Sequence, residues 1–442
     1  MNLSFDSAVF DSARTIVKMP GNTFFPYEYY CTKKEYLACR ESAWLGSALN
    51  RAPVYDISGA DAATFLNRTC VNKDFSAMKP GMSKHAVICN DKGQMLIDGV
   101  IMRRENDYRT YWMAPQIQYF LETSGLDVKG EYCYDEYFFQ IDGPKSLEIL
   151  EEACQCDLHD IKFARNRKVK ICGTDMLVHR LGMSGALAYE VHGEAKDAEI
   201  AYKKLRETVE KFGGVPLGLR AYPMVNHTPG GFPNLRQHYD FPYFTSGEGY
   251  AEFAKKNCWI MKQCGSAAED PEAFFVTPYD VGWGNLVNFD HDFIGKDALQ
   301  KIKEDPPRKP VTLEWNAEDV GDVFMSQFRG REIEPYDPIA DVSFAADSEY
   351  AGYLRADWVL ADDKKIGIAS GRTTAFYERR MISLAFIDKE YAVEGTELTV
   401  LWGTPGHPQK EIRAVVARFP YYNGEYRNET FDTERIPHPH FD

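Results

Sequence analysis

Four short stretches each put one polar side chain beside small residues: NDKGQMLIDGVIMR (90–103), FQIDGPKS (139–146), SGALAYEVHG (184–193) and GLRAYPM (218–224). Read as a strand, the third alternates: Leu187, Tyr189 and Val191 point one way, and Ala188, Glu190 and His192 the other. Ser184, Gly185, Ala186 and Ala188 allow close approach to the backbone in front of the Glu190 carboxylate, a pure acceptor. Gln140, whose amide both donates and accepts, stands just ahead of a Gly-Pro turn; Asp98 precedes Gly99, and Arg103 ends the same run. Each also has an ordinary structural use: Gln140 and Asp98 at turns, Arg103 as a solvated charge beside Arg104, Glu190 as an exposed or ion-paired acid. There is no Walker loop, GxGxxG, HExxH or GxSxG, which removes the simple nucleotide, zincin and α/β-hydrolase readings.

The elements that must position these residues are readable. KKEYLACRESAWL is a helix, RAPVYDISG a strand and turn, and DAATFLNRTC a helix with Asp61 in the capping place. HAVICNDKGQMLIDGVIMRR is two strands around a turn at Asn90 to Gly93, and DYRTYWMA continues the sheet. YFFQIDGPKSLEIL is strand, turn and helix; KVKICGTDMLVHRLGMSGALAYEVHG is a strand pair; DAEIAYKKLRETVEKFGG is an amphipathic helix closed by Gly213 and Gly214. Residues 221–250, rich in Pro, Gly, Asn and Tyr, read as an ordered loop of the kind that carries function. KEDPPRKP (303–310) reads as a linker, and the short strands after it as a β-barrel or sandwich. The tail ERIPHPHFD reads as a loose terminus. Boundaries are therefore expected at 1–302 and 311–430.

A chain of 442 residues exceeds one ordinary core. Its net charge of −15 disfavours nucleic acid and anionic membrane as partners. No uninterrupted apolar run is long enough to span a bilayer and the start lacks a signal core, so a cytoplasmic protein is expected. The ten scattered cysteines are then free thiols, and no metal site is expected.

Taken in order, the markers DISGADAATFLNRTCVN, NDKGQMLIDGVIMR, QIDGPKSLEIL, SGALAYEVHG, LGLRAY, VGWGNLVNFDHDFIGKDAL and IGIASGRTTAFYERRMISLAFID with EGTEL resemble the folate-binding aminomethyltransferase superfamily, founded on the T-protein of the glycine cleavage system. The resemblance runs from about residue 45 to about 420. It implies an α+β fold: a pseudo-symmetric folate-binding body with a C-terminal β-barrel domain. It also implies that Glu190 accepts the ring N–H and exocyclic amine of a reduced pterin as a bidentate pair. Gln140 is then a second pterin contact, with Tyr189 beside it, and tetrahydrofolate is the cofactor.

RAY and DGVIMR resemble the tetrahydrofolate-dependent O-demethylases of methoxylated aromatic acids more than the glycine cleavage enzyme, whose paired Asp is here Ile97-Asp98. In that subgroup the tyrosine of RAY, here Tyr222, hydrogen-bonds the ether oxygen, and the arginine ending the DG strand, here Arg103, pairs with the substrate carboxylate. The methyl carbon passes in line to N5 and the leaving group is a phenolate, so a phenol aimed at the ether oxygen acts as a general acid. Asp98 is the candidate for handling the N5 proton. Tyr27 and Tyr29, from FFPYEYY, and Ile101 are expected on the substrate side. Where the subgroup carries a Glu and a Trp after RAY, this chain has Asn226, Pro229 and Phe232, with Phe232 the candidate for the stacking role. The expected partner is a small methoxyaromatic molecule, and the protein a monomer or homodimer. Two rivals are a sulfonium or amine donor, and a folate-binding protein without turnover.

Overall fold

The computed structural model describes residues 6–19, 23–339 and 353–441. Two antiparallel-dominated sheets form the body, and each is built by the same run of elements. The first half runs strand Val54–Ser58, helix Ala62–Thr69, strands Ser83–Cys89, Met95–Arg103 and Tyr108–Tyr111, helix Gln116–Thr123 and strand Lys129–Tyr132. The second repeats it with Glu136–Asp142, Ser146–Cys154, Asn166–Ile171, Thr174–His179, Ala188–Glu194, Ala198–Lys211 and Val215–Leu217. Strand order repeats too, except that Trp44–Gly46 is inserted between the first and last strands of the second half. This is the pseudo-symmetry that the resemblance implies.

Alternation decides the faces. Ile57, Ile97 and Ile101 pack under the helices of the first half, and Ile141, Tyr189 and Val191 under those of the second. Helix Ala198–Lys211 buries Ala198, Ala201, Tyr202, Leu205 and Val209 at helical spacing. The strand-to-helix turns need Gly59 and Gly143, at φ +116° and +139°. A Cβ there would lie 2.5 Å from the Asp127 carbonyl oxygen or 2.3 Å from that of Ser42, so only glycine closes the turn. The opposite sheet faces meet in a cluster holding Met102, Tyr111, Phe138, Trp44, Tyr27 and Tyr222.

The C-terminal strands close a six-stranded barrel: Tyr353–Ala361, Lys364–Ala375, Arg380–Asp388, Arg308–Trp315, Lys410–Ala417, Glu397–Trp402 and back to the first. Lys262–Cys264 adds to its first strand in parallel. The predicted linker is shorter than its composition suggests, because helix Lys296–Glu304 and strand Arg308–Trp315 consume both of its ends. The tail corrects the reading of a loose terminus. Phe431 and Ile436 enter the second half's core, Arg180 donates to the carbonyls of Asn428 and Phe431, and His159 bonds the Ile436 carbonyl. Each large apolar side chain buried this way contributes about 2 kcal/mol, enough to hold a short segment down. Among the described residues no helix is long and apolar enough to cross a membrane.

Candidate active site

Register brings the first group together. Strands Ala188–Glu194 and Glu136–Asp142 run antiparallel with Glu190 opposite Gln140 and Ala188 opposite Asp142. Glu190, Gln140 and Asp142 thus share the face turned away from the helices. Tyr222, at the start of the short helix Tyr222–Val225, donates to Gln140 Oε1 at 3.1 Å, and the Trp44 ring meets it edge-on at 6.4 Å. Burial first, then the neighbouring acids Asp142 and Glu190, hold the Tyr222 phenol well above its ordinary pKa, so it keeps its proton. The amide nitrogen of Gln140 has no protein partner among the described residues.

Two buried histidines flank Glu190. His179 Nδ1 lies 3.4 Å and His192 Nε2 3.9 Å from Glu190 Oε2, while His179 Nε2 is 2.6 Å from the Ser83 hydroxyl. The donor atoms of the three residues lie within 4.8 Å of one another, close enough to share a cation. His192 Nδ1 is 3.5 Å from Glu136, which pairs with Arg109 at 3.2 Å and accepts from Tyr111 at 3.1 Å. Burial opposes the charge on Glu136, but His192 and Arg109 prevail and hold its carboxyl below the usual range.

The second group surrounds Asp98, which shares a strand face with Val100 and Met102. Tyr239 donates to Asp98 Oδ1 at 2.6 Å, and His85 Nε2 lies 3.1 Å from Oδ2. Phe232 is 5.3 Å from His85 and 5.3 Å from Trp283, centroid to centroid, and Trp283 stands edge-on to His85 at 4.4 Å. His227, pushed down to about 4 by burial, is a neutral imidazole beside the same wall. The loop 222–232 joins the groups, with Tyr222 at its start in one and Phe232 at its end in the other.

Of the residues named from sequence, Glu190, Gln140, Tyr222 and Tyr27 fall around the first group, and Asp98 and Phe232 form the second. Four do not join them. Tyr189 and Ile101 are fully buried on the helix-facing side of their strands, the side their own alternation dictates. Tyr29 gives its hydroxyl to the Val9 carbonyl and meets the Tyr202 hydroxyl at 3.3 Å, away from Tyr222. Arg103 shares Ile101's parity: its Nη1 donates to the Asp107 carbonyl at 2.9 Å and its guanidinium covers the Tyr108 ring at 4.8 Å. Sequence reasoning missed Asp142, His179, His85 and Tyr239. His192 was legible, since alternation puts it on Glu190's side; His85 reaches Asp98 across the hairpin of Ser83–Cys89 with Met95–Arg103, and Tyr239 through tertiary contact.

A model of the GCVT N-terminal domain matches residues 18–227. The chain is similar to a sesamin methylene transferase from Sinomonas, 50% identical over 431 residues and 95% of either chain. It is 30% identical over 426 residues to a syringate O-demethylase from Sphingobium, covering 90% of this chain and 89% of the relative. An aminomethyltransferase from Bacillus cytotoxicus is 26% identical over 91% of this chain and 93% of its own. The crystal structure of aminomethyltransferase T from Bartonella henselae superposes with a TM-score of 0.68 at 16% identity, covering 94% of this chain and 96% of that one, a likeness of fold. Sharing half its residues with a methylene transferase and nearly a third with an O-demethylase, the chain belongs to the GCVT family and is an enzyme of its O-demethylating, one-carbon-transferring branch.

Proposed function

We propose that the protein moves the one-carbon group of an aryl ether to N5 of tetrahydrofolate, with Glu190 and Gln140 holding the pterin and Tyr222 serving the leaving oxygen. The observation that carries this reading is the buried Glu190–Gln140 pair with the Tyr222 hydroxyl fastened to it. The donor set fits the group: a carboxylate facing the site for the pterin's two parallel N–H donors, and an amide nitrogen with no protein partner beside it. When bound, the folate supplies the nucleophilic nitrogen. Tyr222 supplies a proton or hydrogen bond where the ether oxygen gains charge. Asp98, held through both oxygens by Tyr239 and His85, is the group that takes up the proton N5 releases in this reading.

A carboxylate on the donor is not required by this geometry, because Arg103 is engaged elsewhere. That placement, with the 50% identity to a methylene transferase, favours a second form of the same chemistry: a methylene carbon held between two aryl oxygens. Anaerobic incubation with tetrahydrofolate and two panels, methoxybenzoates and methylenedioxybenzenes, separates them. 5-Methyltetrahydrofolate marks methyl transfer and 5,10-methylenetetrahydrofolate methylene transfer. Formation of neither, from either panel, removes the reading.

A further inference from the structure

Asp142 is a buried acid with no part in the chemistry of Glu190, Gln140 and Tyr222. It closes strand Glu136–Asp142, opposite Ala188 on one side and Trp44 on the other, so its side chain shares a face with Gln140 and Glu190. It is 0% exposed, and among the described residues neither of its carboxyl oxygens has a partner in good hydrogen-bond geometry; the nearby donor is the Ser184 hydroxyl. Other buried or half-buried acids of this chain differ. Glu35 accepts the backbone N–H groups of Tyr29, Tyr30 and Gly218 at 2.7 to 2.8 Å. Asp280 takes Arg308 at 2.8 Å.

An ionised carboxylate so poorly supplied with donors in such a place is strongly disfavoured. Burial first, and the neighbouring Glu190 charge second, favour the protonated form; the Ser184 hydroxyl pulls the other way without prevailing. Protonated, the group is an O–H donor facing the site that Glu190 offers as an acceptor. A Cβ on Gly182 would lie 2.2 Å from the Ala188 Cβ and 3.1 Å from Asp142 Oδ2, so glycine there keeps a side chain from crowding this oxygen.

We propose that Asp142 is a pterin-binding residue that works as a neutral carboxylic acid, giving its O–H to the ring carbonyl while Glu190 accepts the adjacent ring N–H and amine. The proposal rests on the folate reading. It makes the pair Asp142–Glu190 complementary to a donor–donor–acceptor edge, which two carboxylates could not be.

Two measurements on the full chain test it. Infrared difference spectra of ligand-free wild type against D142N near neutral pH should show the carbonyl stretch of a protonated acid, lost in D142N. Anaerobic calorimetry with tetrahydrofolate should find D142N within about threefold of wild type, since an amide still donates, and D142L about 10- to 100-fold weaker. Absence of the acid band overturns the proposal, as does D142L binding like wild type while E190Q fails. D142N binding as weakly as D142L would mark a structural role and overturn it too. Wild type that takes up no folate removes the folate reading and this proposal together.

Discussion

The two halves of the body solve one geometric problem in opposite ways. DISGADA (56–62) and QIDGPKS (140–146) occupy the same strand-turn-helix place, with Gly59 and Gly143 at the turn and Ile57 and Ile141 inward. Asp56 corresponds to Gln140 and Ser58 to Asp142. Across the sheet Asp56 faces Arg109, as Gln140 faces Glu190. In the first half the facing pair closes on itself: Arg109 grips Asp56 through two bonds of 2.7 Å, and Arg104 adds a third at 2.9 Å. In the second half both members act chiefly as acceptors, and the amide nitrogen and the Asp142 oxygens are left over. One half spends its polar pair on stability; in the proposed reading the other keeps it for a ligand. The lesson is that a binding site in a repeated fold shows itself as a failure of internal satisfaction where the sister half is satisfied.

The largest test removes the donor the second half presents. Tyr222→Phe keeps the ring and its packing on Trp44 but cannot donate, and turnover is expected to fall about 10²- to 10⁴-fold with folate affinity little changed. Single-turnover formation of product reads the effect. Undiminished turnover would leave Tyr222 as part of the cluster only.

Next, the two facing pairs can be broken separately. Glu190→Gln is expected to weaken tetrahydrofolate binding about 100-fold, because two charge-assisted bonds lose their charge. Arg109→Met is expected to leave that affinity within about threefold but to lower unfolding free energy by about 2–3 kcal/mol, since Glu136 loses its arginine and Asp56 keeps only Arg104. Calorimetry and urea unfolding on both variants give the crossed pattern. A large folate defect in Arg109→Met would show that the halves do not divide the labour this way.

The acids give a smaller effect of opposite signs. The folded state holds Glu136 below its ordinary value near 4.5, so its stabilisation is present above that value and is lost as pH falls through the folded one. The folded state holds Asp142 well above its ordinary value near 3.8. Above about pH 4 the unfolded chain releases that proton and the folded one keeps it, costing up to about 1.4 kcal/mol per pH unit. D142N is therefore expected to gain on wild type in unfolding free energy as pH rises from about 4. A gap independent of pH would mean that Asp142 ionises normally.

Much of this was legible in the sequence for a physical reason. Alternation and turn glycines act locally, so the strand carrying Glu190, the turn after Gln140 and the helix that follows could be read directly. The barrel followed from short strands and turn signals, and the ordered loop at 221–250 from its composition. What alternation forbids is also written there: Tyr189 and Ile101 have the wrong parity to join Glu190 or Asp98. Asp142 lay inside a quoted motif, but its lack of partners is a property of three strands at once. His179, His85 and Tyr239 reach their acids from other strands and loops, which periodicity cannot report. The docked tail was unreadable because its few apolar residues find their core nearly 300 residues earlier in the chain.

Arg103 sharpens the comparison most finely, because it tests whether the first half contributes a cation to the substrate at all. Its strand places Asp98, Val100 and Met102 toward the other half and Ile101 toward the helices, and Arg103 follows Ile101. Its guanidinium is held by the Asp107 carbonyl and the Tyr108 ring, contacts within its own hairpin. Arg103→Ala is therefore expected to change kcat/KM by less than about threefold, and equally for donors with and without a carboxylate, with a loss of stability of about 1 kcal/mol or less. Steady-state rates on a methoxybenzoate and on its carboxylate-free counterpart decide it. A tenfold loss confined to the carboxylate donor would mean that Arg103 leaves its hairpin to meet the substrate, and that the first half, too, serves the ligand.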